Sequence, residues 1–400
     1  MAMRPLIFCA VQCLLAVTWT IYTAFLPQLA AQAGIPRPHV AWILLMDQAV
    51  FVVMDCAMGV AADRMASAMQ RLGTWILVIA VLSGAAFVLL PQSTSPALLL
   101  GLTALWAGTS SALRAPPMVI IARGMQRSAP MLVSWSVLGI GIAGALGPLL
   151  TAGLRNVSPA LPFALASAGL IVAVAALRWV DQAPHAEARA AAGPDRARIR
   201  MLWLFFAAAL TLAFGFQVHT TINSAPAYLK FVSSADLVRY MPAFWLGFVA
   251  CVLLPDTTVF RRAPAHGLLL VAVALGVIAF AGFAMSATLA GVLVAQCAAG
   301  GVWGVVFGAV THAALRAGHV GREGLLTGMV FAVSALAAFA RIAIMLSGIH
   351  QRADMADLLR WLPVVSWAIA AVLLAAFIAR NAAYLREGML ASGPTALPGG

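Results

Sequence analysis

With 400 residues, 63% of them hydrophobic and only 9% charged, the chain is far too apolar for a soluble globule, which carries about 25% charged residues. Its mean hydropathy of +0.99 calls for lipid as the solvent. The formal charge of +12 does not indicate nucleic acid: Lys230 is the only lysine, the arginines are scattered, and no basic stripe interleaved with aromatics occurs.

Apolar runs punctuated by Pro, Gly and Arg predict helices over 6–31, 40–62, 73–91, 96–122, 131–153 and 160–180. A polar, Ala-rich stretch from Asp181 to Arg200 follows. Further helices are predicted over 201–229, 238–259, 267–286, 288–314, 323–348 and 361–384. In hydrocarbon each segment must satisfy its own backbone groups, and the runs are too long for barrel strands. The first run follows Arg4 but continues to about Ala31 with no small-residue cleavage site, so it is read as a retained helix. The expected fold is an all-α membrane protein with twelve transmembrane helices in two pseudo-symmetric six-helix bundles. Residues 1–180 form the first bundle, 181–200 a cytoplasmic linker, 201–385 the second bundle, and 386–400 a disordered cytoplasmic tail.

Basic residues set the orientation. With both termini inside, the outer loops hold Arg37, Arg155, Lys230, Arg239, Arg352 and Arg360. Apart from Arg114 and Arg341, which fall within helices, the rest of the 24 basic residues lie inside. That asymmetry in short loops follows the positive-inside rule. It implies a multi-pass protein of a bacterial-type inner membrane with both termini cytoplasmic, and it explains the net charge without a polyanionic partner.

The two halves resemble each other. Thr18–Trp19–Thr20–Ile21–Tyr22 precedes Pro27 in the first helix, and Gln217–Val218–His219–Thr220–Thr221 precedes Pro226 in the seventh. One shift in numbering aligns both prolines and the polar residues before them. Duplicated bundles place a solute site between their halves, near the midplane.

Three motifs make the chain resemble the major facilitator superfamily over essentially its whole length. Gly59–Val60–Ala61–Ala62–Asp63–Arg64, with Arg71 beyond, is similar to the family's G-x-x-x-D-R signature after the second helix. Gly108 with Pro116 matches a fourth-helix spacing, and Gly139, Gly141, Gly144, Gly147 and Pro148 match its glycine-rich fifth helix. There are departures. Ala66, Ser67 and Ala68 replace a usual glycine and adjacent basic residues, Leu105 stands where drug/proton antiporters usually carry arginine, and Thr151–Ala152–Gly153 replaces paired glycines. The resemblance implies alternating access, with Gly59, Asp63, Arg64 and Arg71 in a gate and Gly144, Gly147 and Pro148 in helix packing.

Asp47 and Asp55 lie well inside the helix predicted over 40–62, and eight residues place them within about 80° of each other. Carboxylates at membrane depth are functional candidates, for proton coupling or for internal ion pairs. Arg114 and Arg341, one per half, either form a clamp for an organic anion or pair with those aspartates. Trp19, Tyr22, Gln217, His219, Asn223 and Trp303 are the remaining candidates for lining a cavity. His219 is read as either a proton-coupling group or a hydrogen-bonded packing residue. The five cysteines lie in apolar runs without metal-ligand spacing, so neither metal nor cofactor is expected.

No nucleophile–base arrangement or phosphate-cradling loop occurs, so an enzyme is not expected. The function read from the sequence is secondary transport of a small polar organic solute, with a lean to an organic anion and to proton coupling, by a monomer in lipid. Efflux of amphipathic drug-like compounds is the alternative, and a non-transporting assembly or sensor protein is an alternative of another class.

Overall fold

A computed structural model describes residues 3–69, 72–125, 128–181, 196–257, 265–318 and 321–381. Most of the linker expected at 181–200, the tail at 386–400 and Arg71 fall outside the described residues. Among the described residues, twelve helical spans are long and apolar enough to cross a membrane. They are α1 (Met3–Gln32), α2 (Arg37–Ala66), α3 (Gly73–Gln92), α4 (Pro96–Gly124), α5 (Ala129–Asn156) and α6 (Ala160–Val180). The second half comprises α7 (Leu202–Tyr228), α8 (Leu237–Asp256), α9 (His266–Met285), α10 (Leu289–Ala317), α11 (Glu323–Leu346) and α12 (Ala353–Arg380). Since the number of crossings is even, Met3 and Arg380 share one face, called here the terminal face; the other is the distal face.

Three spans are not the unbroken helices the apolar runs predict. In α4, an α-helix over Pro96–Ser110 gives way to a 3₁₀ turn at Ser111–Leu113 before helix resumes at Pro116. Pro116 and Pro117 supply no N–H, so carbonyls one turn earlier lose their helical donors. The carbonyl of Leu113 is one of these, and Gln12 Nε2 of α1 donates to it at 2.7 Å. In α7 the last turns widen into a π-helix over His219–Asn223 ahead of Pro226, and Ser224 Oγ donates to the His219 carbonyl at 3.0 Å. In α8, a short helix at Leu237–Tyr240 and a second at Ala243–Cys251 are separated at Pro242.

Glycines decide which helices meet backbone to backbone. Within the first half, a Cβ on Gly139 of α5 would overlap the Cys9 carbonyl of α1. Within the second, Gly247 of α8 sits on the Cys297 carbonyl of α10. Between the halves, Gly59 of α2 faces the Gly324 carbonyl of α11, and Gly328 of α11 faces the Asp55 carbonyl. The other interface between halves joins α5 to α8, where Gly141 lies against Phe248 and Gly144 against Trp245. Exchanging the halves, by adding six to a first-half helix number and subtracting six from a second-half one, converts the α2–α11 pair into the α8–α5 pair. The duplication seen in the sequence is thus also a symmetry of the interface.

Candidate functional site

At the terminal face, the end of α2 meets the start of α11. The first N–H groups of a helix lack intrahelical acceptors and carry partial positive charge. Asp63 supplies acceptors for two of them: Oδ1 takes the Gly324 N–H at 2.8 Å and Oδ2 the Leu325 N–H at 2.9 Å. Arg123, at the end of α4, lies 3.6 Å from Asp63 Oδ1 and donates to Glu323 Oε2 at 3.2 Å. Asp63 and Arg123 are both buried. Each half therefore contributes a carboxylate to one arginine, and the cluster ties the halves together at this face. Arg64, next in sequence, is exposed. Sequence reasoning used Arg123 only for orientation and missed Glu323, whose signal was an acid in the first turn of a helix.

The two in-span aspartates have different fates. Asp55 Oδ2 accepts from Arg114 Nη1 at 2.9 Å, and the guanidinium lies over the Phe51 ring, 4.0 Å from its centroid. Arg114 is thus partnered by an acid of its own half. Asp47 meets no cation among the described residues. It is fully buried, Oδ2 accepts the Tyr22 hydroxyl at 2.7 Å, and Oδ1 has no partner. Around this pair Tyr22 and Trp106 lie 4.7 Å apart, Trp19 stacks on Trp106 at 6.0 Å, and Trp19 meets the edge of Phe51 at 5.6 Å. Trp19 and Tyr22 thus belong to the bundle interior rather than to an interfacial belt.

In the second half, the polar stretch of α7 splits by face. His219 is buried against Phe280 and Phe283, and its Nε2 bonds Gln296 Oε1 of α10 at 2.9 Å. Gln296 Nε2 in turn donates to Ser224 Oγ at 2.6 Å. Asn223 Nδ2 donates to the Leu359 carbonyl of α12 at 2.9 Å. Gln217 is half-buried. The structure therefore brings His219 and Asn223 into packing contacts with α10 and α12.

A recess between α7, α10 and α11 is lined by Leu212, Trp303, Phe307, Val310, Val330 and Ser334. Phe216 stacks on Trp303 at 4.6 Å, and Trp303 on Phe307 at 5.4 Å. Seven residues are close to two helical turns, so Arg341 shares the face of α11 that Ser334 presents to this recess. Arg341 is half-buried; Nη1 reaches only Met345 Sδ at 3.7 Å, and Nε has no partner. Of the helix-packing candidates, Gly144 takes the Trp245 ring, Gly147 lies 3.9 Å from Thr20 Cγ2, and Pro148 sits inside α5. Among the described residues no group of histidines, cysteines or acids could hold a metal ion.

A family model described as Major Facilitator Superfamily matches residues 8–341. No curated protein sequence matches the chain. Among solved structures, it is similar to the human organic anion transporter MFSD10 (TETRAN), with a TM-score of 0.71 at 15% identity over 92% of this chain and 98% of that one. It is similar to the E. coli fucose:proton symporter FucP, with a TM-score of 0.69 at 12% identity over 94% and 98%. It is also similar to the proton:xylose symporter XylE, with a TM-score of 0.71 at 11% identity over 94% and 95%. At such identities the likeness concerns the fold.

Proposed function

Since the chain belongs to the Major Facilitator Superfamily and is a membrane transporter rather than an enzyme, we propose that it carries a small organic anion by proton-coupled alternating access. The observation that carries this reading is Arg341. It is a guanidinium set into α11, on the face directed at the aromatic recess, and no carboxylate among the described residues neutralises it. A cation at membrane depth is retained when it serves a pathway or a partner. Arg114 no longer supports the two-arginine clamp, because Asp55 engages it. The anion is then held from one half, by one planar fork suited to a carboxylate.

With the arginine bias placing the terminal face in the cytoplasm, the Asp63–Arg123–Glu323 cluster is a closed cytoplasmic gate, and cargo enters from outside. Opening that gate breaks bonds that join the halves, which is how a charged cluster biases a conformational equilibrium. The monomer suffices, because both interfaces described are internal. Efflux of amphipathic compounds is the second reading, favoured by the apolar lining of Trp303, Phe307, Val310 and Val330.

The test is uptake of radiolabelled benzoate, compared with uncharged benzyl alcohol, into proteoliposomes. Saturable benzoate uptake that Arg341→Gln and Arg341→Lys both abolish is expected. Saturable transport of the alcohol, with benzoate uptake no faster than in protein-free liposomes, would replace this reading with the second.

A further inference from the structure

Asp47 and Arg341 are each without a counter-ion among the described residues, and they lie in opposite halves. They also lie at similar depth. Asp47 is seven residues into the helix that starts at Val40, and Arg341 is five residues before the end of its helix at Leu346. Both are therefore about 8–10 Å from the distal ends of their helices. An isolated carboxylate in such surroundings is strongly disfavoured unless it is paired or protonated. Asp55 solves that problem by pairing with Arg114. Asp47 has only the Tyr22 hydroxyl on one oxygen and nothing on the other.

We propose that Asp47 is the proton-binding group of this transporter, that one proton travels with each cargo, and that the cargo is a monoanion. The inference rests on the organic-anion reading for its cargo, but the proton site stands on its own geometry. In the loaded carrier a proton neutralises Asp47 at Oδ1, and the cargo carboxylate neutralises Arg341. In the empty carrier the Asp47 carboxylate and the Arg341 guanidinium offset each other. Both forms that reorient are then free of net charge from these two groups, so neither meets the cost of dragging an uncompensated charge through the bilayer. A dianion or a neutral solute would leave the loaded form charged. An O–H bond forms at Asp47 on the side where proton and cargo enter and breaks on the other side; no electron moves.

The surroundings of Asp47 suit this role. From α1 it faces the Tyr22 hydroxyl. On α4, the Trp106 ring packs on Tyr22 rather than on the carboxyl itself, and the cation of that span, Arg114, is held by Asp55. Arg341 on α11 makes no ion pair with it. Tyr22 touches Trp19, Trp19 touches Phe51, and Phe51 clusters with Ala335 of α11, less than two turns before Arg341. Tyr22, Trp19 and Phe51 thus link the carboxyl, side chain by side chain, to the opposite half.

Infrared difference spectroscopy of the full chain in proteoliposomes, without cargo, tests the site directly. A protonated-carboxyl stretching band that titrates in the wild type and in Asp55→Asn, and is missing from Asp47→Asn, is expected. Persistence of the wild-type band in Asp47→Asn would overturn the assignment. Should Asp47→Asn fail to fold, Tyr22→Phe takes its place: it should shift both the band and its midpoint, and an unchanged spectrum would count against the site. The coupling is then read with benzoate. Under an inward proton gradient the wild type should accumulate it with no response to a valinomycin-imposed potential, whereas Asp47→Asn should lose accumulation at least tenfold while still exchanging benzoate for benzoate. Potential-driven uptake would overturn the one-to-one charge balance. No benzoate uptake together with an intact Asp47 band would remove the cargo reading and keep the proton site.

Discussion

Asp63 of α2 accepts the backbone N–H of Gly324 at 2.8 Å, so the end of one half's helix caps the beginning of a helix in the other half. In the proposed transport cycle this bond and its neighbour to Leu325 break when the terminal face opens.

Removing the charge should therefore shift states rather than cargo affinity. A hydrogen bond to a charged group contributes about 1.5–3 kcal/mol, and each ~1.4 kcal/mol changes a state ratio tenfold. Asp63→Asn is expected to slow transport about tenfold or more while leaving cargo affinity within a few-fold. Loss of binding by a folded Asp63→Asn protein would contradict the gate assignment.

Gly59 offers a steric test of the same closure. Its missing Cβ would occupy the position of the Gly324 carbonyl. Gly59→Ala must push α2 away from α11, so spin labels on the terminal ends of these helices should move apart. An unchanged distance distribution, with wild-type transport, would show that the helices need not meet there.

The Asp55–Arg114 pair predicts a mutant cycle. Arg114→Gln strands a buried carboxylate, which costs about 3–5 kcal/mol when one partner of a buried pair is lost. The double mutant Asp55→Asn/Arg114→Gln should recover most of that stability. Melting temperatures of the single and double mutants, measured in the same detergent, check this; additive losses would mean that the pair is energetically idle.

Orientation is checked with a reporter active only in the cytoplasm. Fusions after Arg71, Arg196 and Arg386 should give signal, and fusions after Arg37 and Arg155 should not. Equal activity at Arg155 and Arg196 would reverse the membrane sidedness and turn the closed gate into an outer one.

The sequence by itself determined the class, the number of spans and the family resemblance. These follow from properties that are local along the chain: runs of about 20 apolar residues can only be helices in lipid, and the Gly59–Arg64 and Gly139–Pro148 motifs are contiguous. It showed no break inside α4, α7 or α8. A hydropathy window registers Pro116 and Pro226 as slightly less apolar residues, whereas their cost is geometric, a missing N–H whose acceptor must find another donor. In α4 that donor is Gln12, a hundred residues away in sequence.

Tertiary structure alone decided the partners of the buried charges. The sequence sets Asp47 nearer mid-depth and Asp55 nearer the gate motif, but it leaves open whether Arg114 and Arg341 pair with them or hold cargo. Which acid meets which base depends on how α4 bends and how closely glycines let α2 approach α11. Those choices bring Arg114 to Asp55 at 2.9 Å and leave Asp47 with a tyrosine. The reason is the short reach of a strong polar contact. An ion pair or hydrogen bond needs its atoms within about 3 Å, and a periodicity of 3.6 residues fixes only the face on which a side chain stands, not the neighbour that stands opposite it.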